Sequence, residues 1–230
     1  MPKKAPANKK AKLKVYDYDK TKSYNVIEAI ELVKKFSNSK FDASVEAHFR
    51  LGIDVKKGDQ QIRAAVSLPH GTGKTVKVAA FVPADKEADA RAAGADVVGG
   101  EELIDEIKKT EKTDFQVAIA TPDMMRLLAP IAKILGTRGL MPSPKNDTVT
   151  VEPAKAIAEI KKGKISFKND DGGIVHMSIG KTSFEATKIS ENLTAVVALL
   201  KKIKPAKAKG VYIKSVTICS TMGPGIKVTL

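Results

Sequence analysis

Hydrophobic and polar residues change their spacing along this chain, and the changes predict where its elements lie. Apolar residues recur at helical spacing up to Phe36, and Asn25 followed by Glu28 has the arrangement of a helix capping box. From residue 45 to residue 53 apolar residues alternate with polar ones, which predicts a half-buried strand with one wet face. Residues 62–68 alternate again, so the two strands are predicted to form a hairpin.

The middle of the chain has a different pattern. Short runs that are almost wholly apolar predict strands at residues 76–82, 95–98, 115–120 and 149–151. Helical patterns follow them at residues 85–93, 101–109, 123–135 and 153–161. Strands that alternate with helices predict βα units on a small parallel sheet.

The first pattern returns after Gly163. Strands are predicted at residues 165–168, 174–179 and 211–219, with a turn at 170–173, a helix from Ser190 to Ile203, and a loop at 221–225 before a last strand. The flanks therefore predict two halves of one α/β layer. We expect a two-domain α/β fold: a split two-layer domain of residues 1–70 and 161–230, and an inserted parallel α/β domain of residues 71–160.

Charge follows the same division. The net charge of +14 comes from +7 in residues 1–70, −2 in residues 71–160 and +9 in residues 161–230. Residues 1–15, rich in Lys and poor in large apolar side chains, predict a mobile basic arm. Two strongly basic flanks that also contain element patterns indicate one polyanion-binding body.

Composition restricts the class of protein further. One Cys excludes an intramolecular disulfide and fits a reducing cytosol, and Cys219 in its apolar run is interpreted as a small buried hydrophobe. No apolar run is long enough to cross a bilayer, and no signal peptide is evident. The sequence therefore predicts a cytoplasmic protein without a membrane partner.

Enzyme motifs are weak. Gly71–Thr75 has the end of a phosphate-loop pattern, but Leu68 stands where that pattern needs Gly, and a strand is predicted to follow where a phosphate loop leads into a helix. The glycines at 99–100 lack the rest of a dinucleotide-binding motif. A nucleotide-dependent activity at Gly71–Thr75 stays a minor alternative, and the segment is otherwise interpreted as a hinge.

Histidines and other catalytic residue types show no recognisable arrangement. His48, His70 and His176 have no spacing with Cys or carboxylates that predicts a metal site. No Ser-His-Asp or paired-carboxylate pattern is apparent. We therefore expect no enzyme, no cofactor and no bound metal.

Two segments in the flanks are candidates for RNA contact. Lys40-Phe41 leads into the first strand, whose wet face is predicted to carry Ser44, Glu46, His48 and Arg50, and a basic residue beside an aromatic can meet phosphate and stack on a base. Thr221-Met222-Gly223 offers a hydroxyl, an apolar surface and accessible backbone. Taken alone, Phe41 is more commonly core, and the loop is more commonly a plain turn.

The ten residues 136–145, Gly-Thr-Arg-Gly-Leu-Met-Pro-Ser-Pro-Lys, predict an ordered irregular loop. They closely resemble the signature of the universal large-subunit ribosomal protein family called L-one. The resemblance continues in Lys40-Phe41-Asp42, Leu51–Asp54, Ser67–Gly71 and Thr221–Pro224, and also in residues 94–96, 98–102 and 120–124. Residues Thr137, Ser143 and Asp171 depart from the usual family pattern.

The resemblance implies that the split domain of residues 1–70 and 161–230 binds RNA and that the inserted parallel α/β domain of residues 71–160 is Rossmann-like. It also implies a function and a set of contacts. It implies a non-enzymatic, monomeric ribosomal protein that binds 23S rRNA at the mobile stalk, meets exit-site tRNA transiently and can repress its own mRNA. A general nucleic-acid chaperone acting through charge is the alternative. The implied RNA contacts are Lys40, Phe41, Ser44, Glu46, Lys168, Asn169, Asp170, Ser215, Thr221, Met222 and Gly223.

Overall fold

The computed structural model describes residues 18–208 and 210–229, so the predicted basic arm at residues 1–15 lies outside the described part. The α-helices are α1 (Val26–Phe36), α2 (Glu87–Ala92), α3 (Glu101–Thr110), α4 (Met124–Leu127), α5 (Ala132–Thr137), α6 (Pro153–Lys161) and α7 (Ala186–Lys202). The strands are β1 (Ser44–Leu51), β2 (Arg63–Ser67), β3 (Val78–Phe81), β4 (Val97–Gly99), β5 (Val117–Ala120), β6 (Lys164–Lys168), β7 (Ile174–Lys181), β8 (Ile213–Ser220) and β9 (Ile226–Val228). None of these helices is long and apolar enough to span a membrane.

Both ends of the chain contribute to one antiparallel sheet. Its order is β7-β1-β8-β9, so the N-terminal strand β1 lies between two strands from the C-terminal third. Helices α1 and α7 pack against each other and against this sheet. The two flanks thus form one α/β layer, and the predicted fold class is confirmed.

Alternation along β1 gives this sheet one apolar face, and the helices pack against that face. Val45, Ala47 and Phe49 are fully buried in a core that includes Leu193 and Val196 of α7. Burying a side chain the size of Val or Phe contributes about 1.5–3 kcal/mol each. The intervening polar residues of β1 point to the opposite face, as the period of two requires.

The middle of the chain forms a parallel sheet of order β4-β3-β5. All four residues of β3 are fully buried. Ala79 and Phe81 belong to a core with Leu128, whereas Val78 and Ala80 belong to a second core on the other face. Apolar runs without alternation therefore correctly predicted strands that are covered on both sides.

The predicted hairpin of β1 and β2 is wrong. Strand β2 pairs with β6 in a separate two-stranded antiparallel sheet, with Ser67 opposite Lys164. Both edges of β1 are already occupied by β7 and β8. An alternating pattern predicts that a strand exists, but it does not state which strand pairs with it.

Three other predictions from the sequence also need correction. The helix predicted over residues 123–135 is divided into α4, a short 3-10 turn at Ala129–Ile131 and α5, because Pro130 has no N–H and disrupts a continuous helix. The strand predicted at 149–151 is reduced to one bridge between Ala120 and Val149. Helix α7 begins at Ala186 rather than at Ser190, and Glu185 occupies its N-cap position.

The chain crosses between its flanks and its middle at two glycines that touch. Gly71 has φ +62° and Gly163 has φ +109°, and a Cβ atom added to Gly163 would lie 2.5 Å from the Gly71 Cα atom. Asn192, which is fully buried on α7, donates to the Gly71 carbonyl at 3.0 Å and accepts from the His70 N–H at 3.1 Å. This arrangement supports the proposed boundaries near residues 70 and 160.

Candidate RNA-binding surface

The loop between β8 and β9 is held beside the start of β1. The Thr221 N–H donates to the Ser44 carbonyl at 3.1 Å, and the Ser44 N–H donates to Thr221 Oγ1 at 3.2 Å. Ser44 was predicted on the wet face, but it is only 7% exposed. The Ser44 main chain therefore positions Thr221, and its side chain is buried rather than open to solvent.

Two large apolar side chains face solvent at this junction. Phe41, which precedes β1, is 58% exposed, and Met222 is 72% exposed. Phe and Met are usually buried, so their exposure at one end of one sheet is typical of a contact surface. The alternative that Phe41 is a core residue is wrong.

Gly223 has a structural reason to be glycine. A Cβ atom at this position would overlap Ser220 Oγ, and the Gly223 N–H donates to the Ser220 carbonyl at 2.9 Å. Ser220 is itself buried. A side chain at residue 223 would therefore force the buried Ser220 hydroxyl to move.

Asp42 holds the segment that carries Lys40 and Phe41. Its carboxylate accepts from the Ser183 Oγ at 2.9 Å and from the Thr182 Oγ1 at 3.0 Å. Partial desolvation raises the pKa of Asp42, but these hydrogen bonds outweigh it and the net pKa is lowered. Lys40 and Phe41 are therefore presented to solvent from a segment that is tied to the loop before α7.

The polar face of the sheet brings predicted residues from β1 and β8 together. Arg50 lies opposite Ser215, and Glu46 lies opposite Cys219. Residues directly opposite in an antiparallel pair point to the same face. Glu46 and Ser215, predicted separately, therefore share the face of the sheet opposite to the core that includes residues of α1 and α7.

The segment Lys168–Asp170 joins the two-stranded sheet to the four-stranded sheet. Lys168 is exposed at the end of β6, where it faces a cleft shared with Met141 of the ten-residue signature. Asn169 accepts from the Ile62 N–H at 2.7 Å. Asp170 accepts from the Ile174 N–H at 2.7 Å, and this bond in particular lowers its pKa. Asn169 and Asp170 therefore shape the turn.

A group of side chains that sequence patterns did not connect lies on the same sheet face. His48 Nδ1 is 2.8 Å from His176 Nδ1, and His48 Nε2 is 3.2 Å from Cys219 Sγ. The ligand atoms of Glu46, His48 and Cys219 all lie within 4.8 Å of one another. The spacing of these residues along the sequence did not predict this group, and the interpretation of Cys219 as a small buried hydrophobe is wrong, because the residue is only partly buried. Only the strand register, which sequence does not reveal, brings them together.

The segment Gly71–Thr75 does not have phosphate-loop geometry. It leads into strand β3 rather than into a helix, so no helix N-terminus follows its glycines. Both glycines have positive φ angles, and Thr72 is buried. These features fit a crossing between two parts of the fold, as the hinge interpretation predicted.

An α/β fold split between two basic chain ends, with a polar sheet face and exposed Phe and Met side chains, defines a protein of the nucleic-acid-binding class. Residues 33–224 match the model of the Ribosomal protein L1p/L10e family, and the chain belongs to that family. The large ribosomal subunit protein uL1 of Solibacter usitatus (strain Ellin6076) is 51% identical over 208 residues, which are 90% of this chain and 88% of that relative.

Family membership bears on several predictions at once. The resemblance to ribosomal protein L-one is confirmed, and the chain has the structural role of a ribosomal protein. The predicted localisation, cytoplasmic and bound to the ribosome, is confirmed with it. The individual RNA-contacting residues and the domain boundaries stay predictions.

Proposed function

We propose that this chain binds large-subunit (23S) rRNA through the surface around the β1 start and the β8–β9 loop. We call this the binding surface, and it comprises Lys40, Phe41, Glu46, Ser215 and Thr221–Gly223. The observation that carries the proposal is the exposure of Phe41 and of Met222, whose loop is held to the start of β1 by three Ser44–Thr221 hydrogen bonds. The flanks that form this surface carry the whole excess of positive charge.

Each part of the binding surface has a separate role in this proposal. Phe41 and Met222 supply apolar surface against which bases or sugars pack, and Lys40 attracts phosphate. Thr221 Oγ1, already bonded to Ser44, contacts a sugar edge. Glu46 accepts a hydrogen bond from a 2′-hydroxyl or a base amine, which a cation could not do.

The remaining predicted contacts act less directly. Lys168 offers a charge for phosphate, whereas Asn169 and Asp170 keep the turn after β6 in shape through their bonds to main-chain N–H groups. Ser44 acts through its main chain. Substitutions of Ser44, Asn169 and Asp170 should therefore affect folding of the surface as well as RNA affinity.

Further steps of the proposal follow from the family resemblance and the two-part fold. The proposed RNA site is the base of the mobile stalk of the large subunit, where the protein assists release of tRNA from the exit site. The two adjacent crossings at Gly71 and Gly163 would let the inserted part move relative to the bound part. Binding of a similar RNA fold in its own mRNA would repress translation. We propose no enzymatic activity.

The test compares two exposed apolar residues that face solvent in different parts of the chain. Met222→Asp puts a negative charge on the binding surface, whereas Val151→Asp puts the same charge on the inserted part, where Val151 is 66% exposed. Binding of both variants to the cognate rRNA fragment is measured by filter binding. We expect Met222→Asp to lose at least about tenfold in affinity, or 1.4 kcal/mol, and Val151→Asp to match the wild type.

Phe41→Ala and a scrambled RNA complete the test. Removing a stacked aromatic should cost about 1–3 kcal/mol against cognate RNA. If cognate and scrambled RNA bind with equal affinity and equal salt dependence, the protein acts as a charge-driven chaperone instead. Equal losses from Met222→Asp and Val151→Asp would also reject the binding surface.

A further inference from the structure

Three ligand-type side chains converge on the uncovered face of the four-stranded sheet. Glu46 and Cys219 are directly opposite on β1 and β8, and His48 follows two residues along β1 on the same face. Their ligand atoms all lie within 4.8 Å of one another, with His48 Nε2 3.2 Å from Cys219 Sγ. Across residues 18–208 and 210–229, no second group of three such side chains comes as close.

The donor set indicates which ions would fit. Zinc is bound in proteins by thiolate, imidazole and carboxylate, and sites with three protein ligands leave a fourth position for water or another ligand. Sulfur and nitrogen ligands of one tetrahedral zinc ion lie about 3.5 Å apart, close to the observed separation of Cys219 Sγ and His48 Nε2. Magnesium and calcium prefer oxygen alone, so a thiol and an imidazole disfavour them.

A hydrogen-bonded chain behind His48 would orient it as a ligand. His48 Nδ1 lies 2.8 Å from His176 Nδ1, and His176 Nε2 lies 3.2 Å from Asp170 Oδ2. Metal-binding histidines commonly donate their second N–H to an acceptor, which fixes the tautomer. A proton on His48 Nδ1, donated to His176, leaves the Nε2 lone pair directed toward Cys219.

Binding an ion requires a deprotonated Cys219 sulfur and a neutral His48 imidazole. When the sulfur–metal bond forms, the thiol proton leaves to solvent, and no oxidation or reduction is involved.

We propose that Glu46, His48 and Cys219 bind a divalent transition ion of the zinc class, with water at the fourth position. His176 and Asp170 act as positioning residues for His48. The site needs no RNA, although a bound ion would engage the Glu46 carboxylate that the binding surface also uses.

Cobalt titration of the full-length protein without RNA tests the site. Cobalt replaces zinc in such sites, and its bond to a thiolate gives a charge-transfer absorption in the near ultraviolet. Cys219 is the only cysteine in the chain, so this band reports one site. We expect the wild type to show the band, zinc to abolish it, and Cys219→Ser and His48→Gln to lack it.

Two further variants separate a built site from general metal binding to histidine. His176→Asn should weaken cobalt affinity about 10–100-fold while keeping the band, as expected for a group behind a ligand. His70→Asn is the matched control, because His70 pairs with Glu191 elsewhere on the surface, and it should bind cobalt as the wild type does.

The reactivity of the Cys219 thiol in the wild type tests the site without relying on variants, which can fail to fold. Zinc should slow the reaction of Cys219 with a disulfide reagent, and a chelator should restore the rate. Absence of the charge-transfer band, or an unchanged thiol rate with zinc, would overturn the proposal. Unchanged cobalt binding in Cys219→Ser would do so too. Because these measurements contain no RNA, their outcome does not depend on whether the protein binds rRNA as proposed.

Discussion

The two larger sheets of this protein differ in the number of faces that are covered. In the parallel sheet every residue of β3 is buried, because separate cores lie on its two faces. In the antiparallel sheet helices pack on one face, and the other presents Glu46, Arg50, His176 and Ser215. Polar groups for recognition are available only where a sheet face is left open, and here that face belongs to the basic flanks.

Aspartate substitutions at neighbouring positions should show this difference as the largest changes in the free energy of unfolding. Ala79→Asp and Ala80→Asp each bury a charge, so both should destabilise the protein by more than about 4 kcal/mol. In β1, Ala47→Asp should cost as much, whereas Arg50→Asp on the open face should cost less than about 1 kcal/mol. Urea unfolding measures the change in the free energy of unfolding for all four variants. A mild effect at either position of β3 would show that the parallel sheet also has an open face.

Gly163→Ala tests the contact between the two chain crossings. The added methyl would lie 2.5 Å from the Gly71 Cα at φ +109°, so the change should cost about 1–3 kcal/mol. Gly136→Ala is the control, because its Cβ has open space inside α5 and alanine favours a helix. Thermal unfolding compares the two. Equal melting temperatures would mean that the crossings are not packed together.

Acid should lower the stability of the inserted part by a smaller amount, through Asp96. Asp96 accepts from Lys161 Nζ at 2.7 Å and from the Val78 N–H at 2.8 Å, and these bonds lower its pKa from 3.8. Since the folded-state pKa is the lower one, the stabilisation is present above pH 3.8 and is lost as pH falls through the folded value. Asp96→Asn should therefore lower stability at neutral pH and flatten its decline in acid, as measured by thermal unfolding. A decline as steep as that of the wild type would contradict this role.

Excision of residues 71–160 should have the smallest effect on RNA binding. The touching Gly71 and Gly163 mean that a short linker can join the flanks without strain. Because the inserted part carries a net charge of −2, affinity for the rRNA fragment should change by less than about tenfold. Loss of binding by a shortened protein that still unfolds cooperatively would reject a split RNA-binding domain.

Local patterns predicted elements well and their partners poorly. The Asn25 cap and the alternation in β1 gave the right element types because neighbouring residues decide them. The β1–β2 hairpin was wrong because pairing depends on strands more than a hundred residues away. Pro130 was the local signal that could have divided the helix predicted over residues 123–135.

The candidate surfaces show the same limit. Phe41 and the Thr221–Gly223 loop could be singled out from residue type and family resemblance, and Phe41, Thr221 and Met222 are exposed. The burial of Ser44 could not be predicted, because a position at the start of a strand does not state what lies against it. Neither could the cluster of Glu46, His48 and Cys219, which depends on the register between β1 and β8.

The central position of β1 has a consequence for biosynthesis. This strand leaves the ribosome early, but its partners β7 and β8 begin only at Ile174 and Ile213. At about 5–20 residues per second, β1 waits on the order of ten seconds with both edges unpaired. The parallel sheet is complete by Ala120, and α6, which supplies part of the core on one of its faces, ends at Lys161. The inserted part can therefore fold first and bring Gly71, at its start, and Gly163, just after its end, together for the late strands.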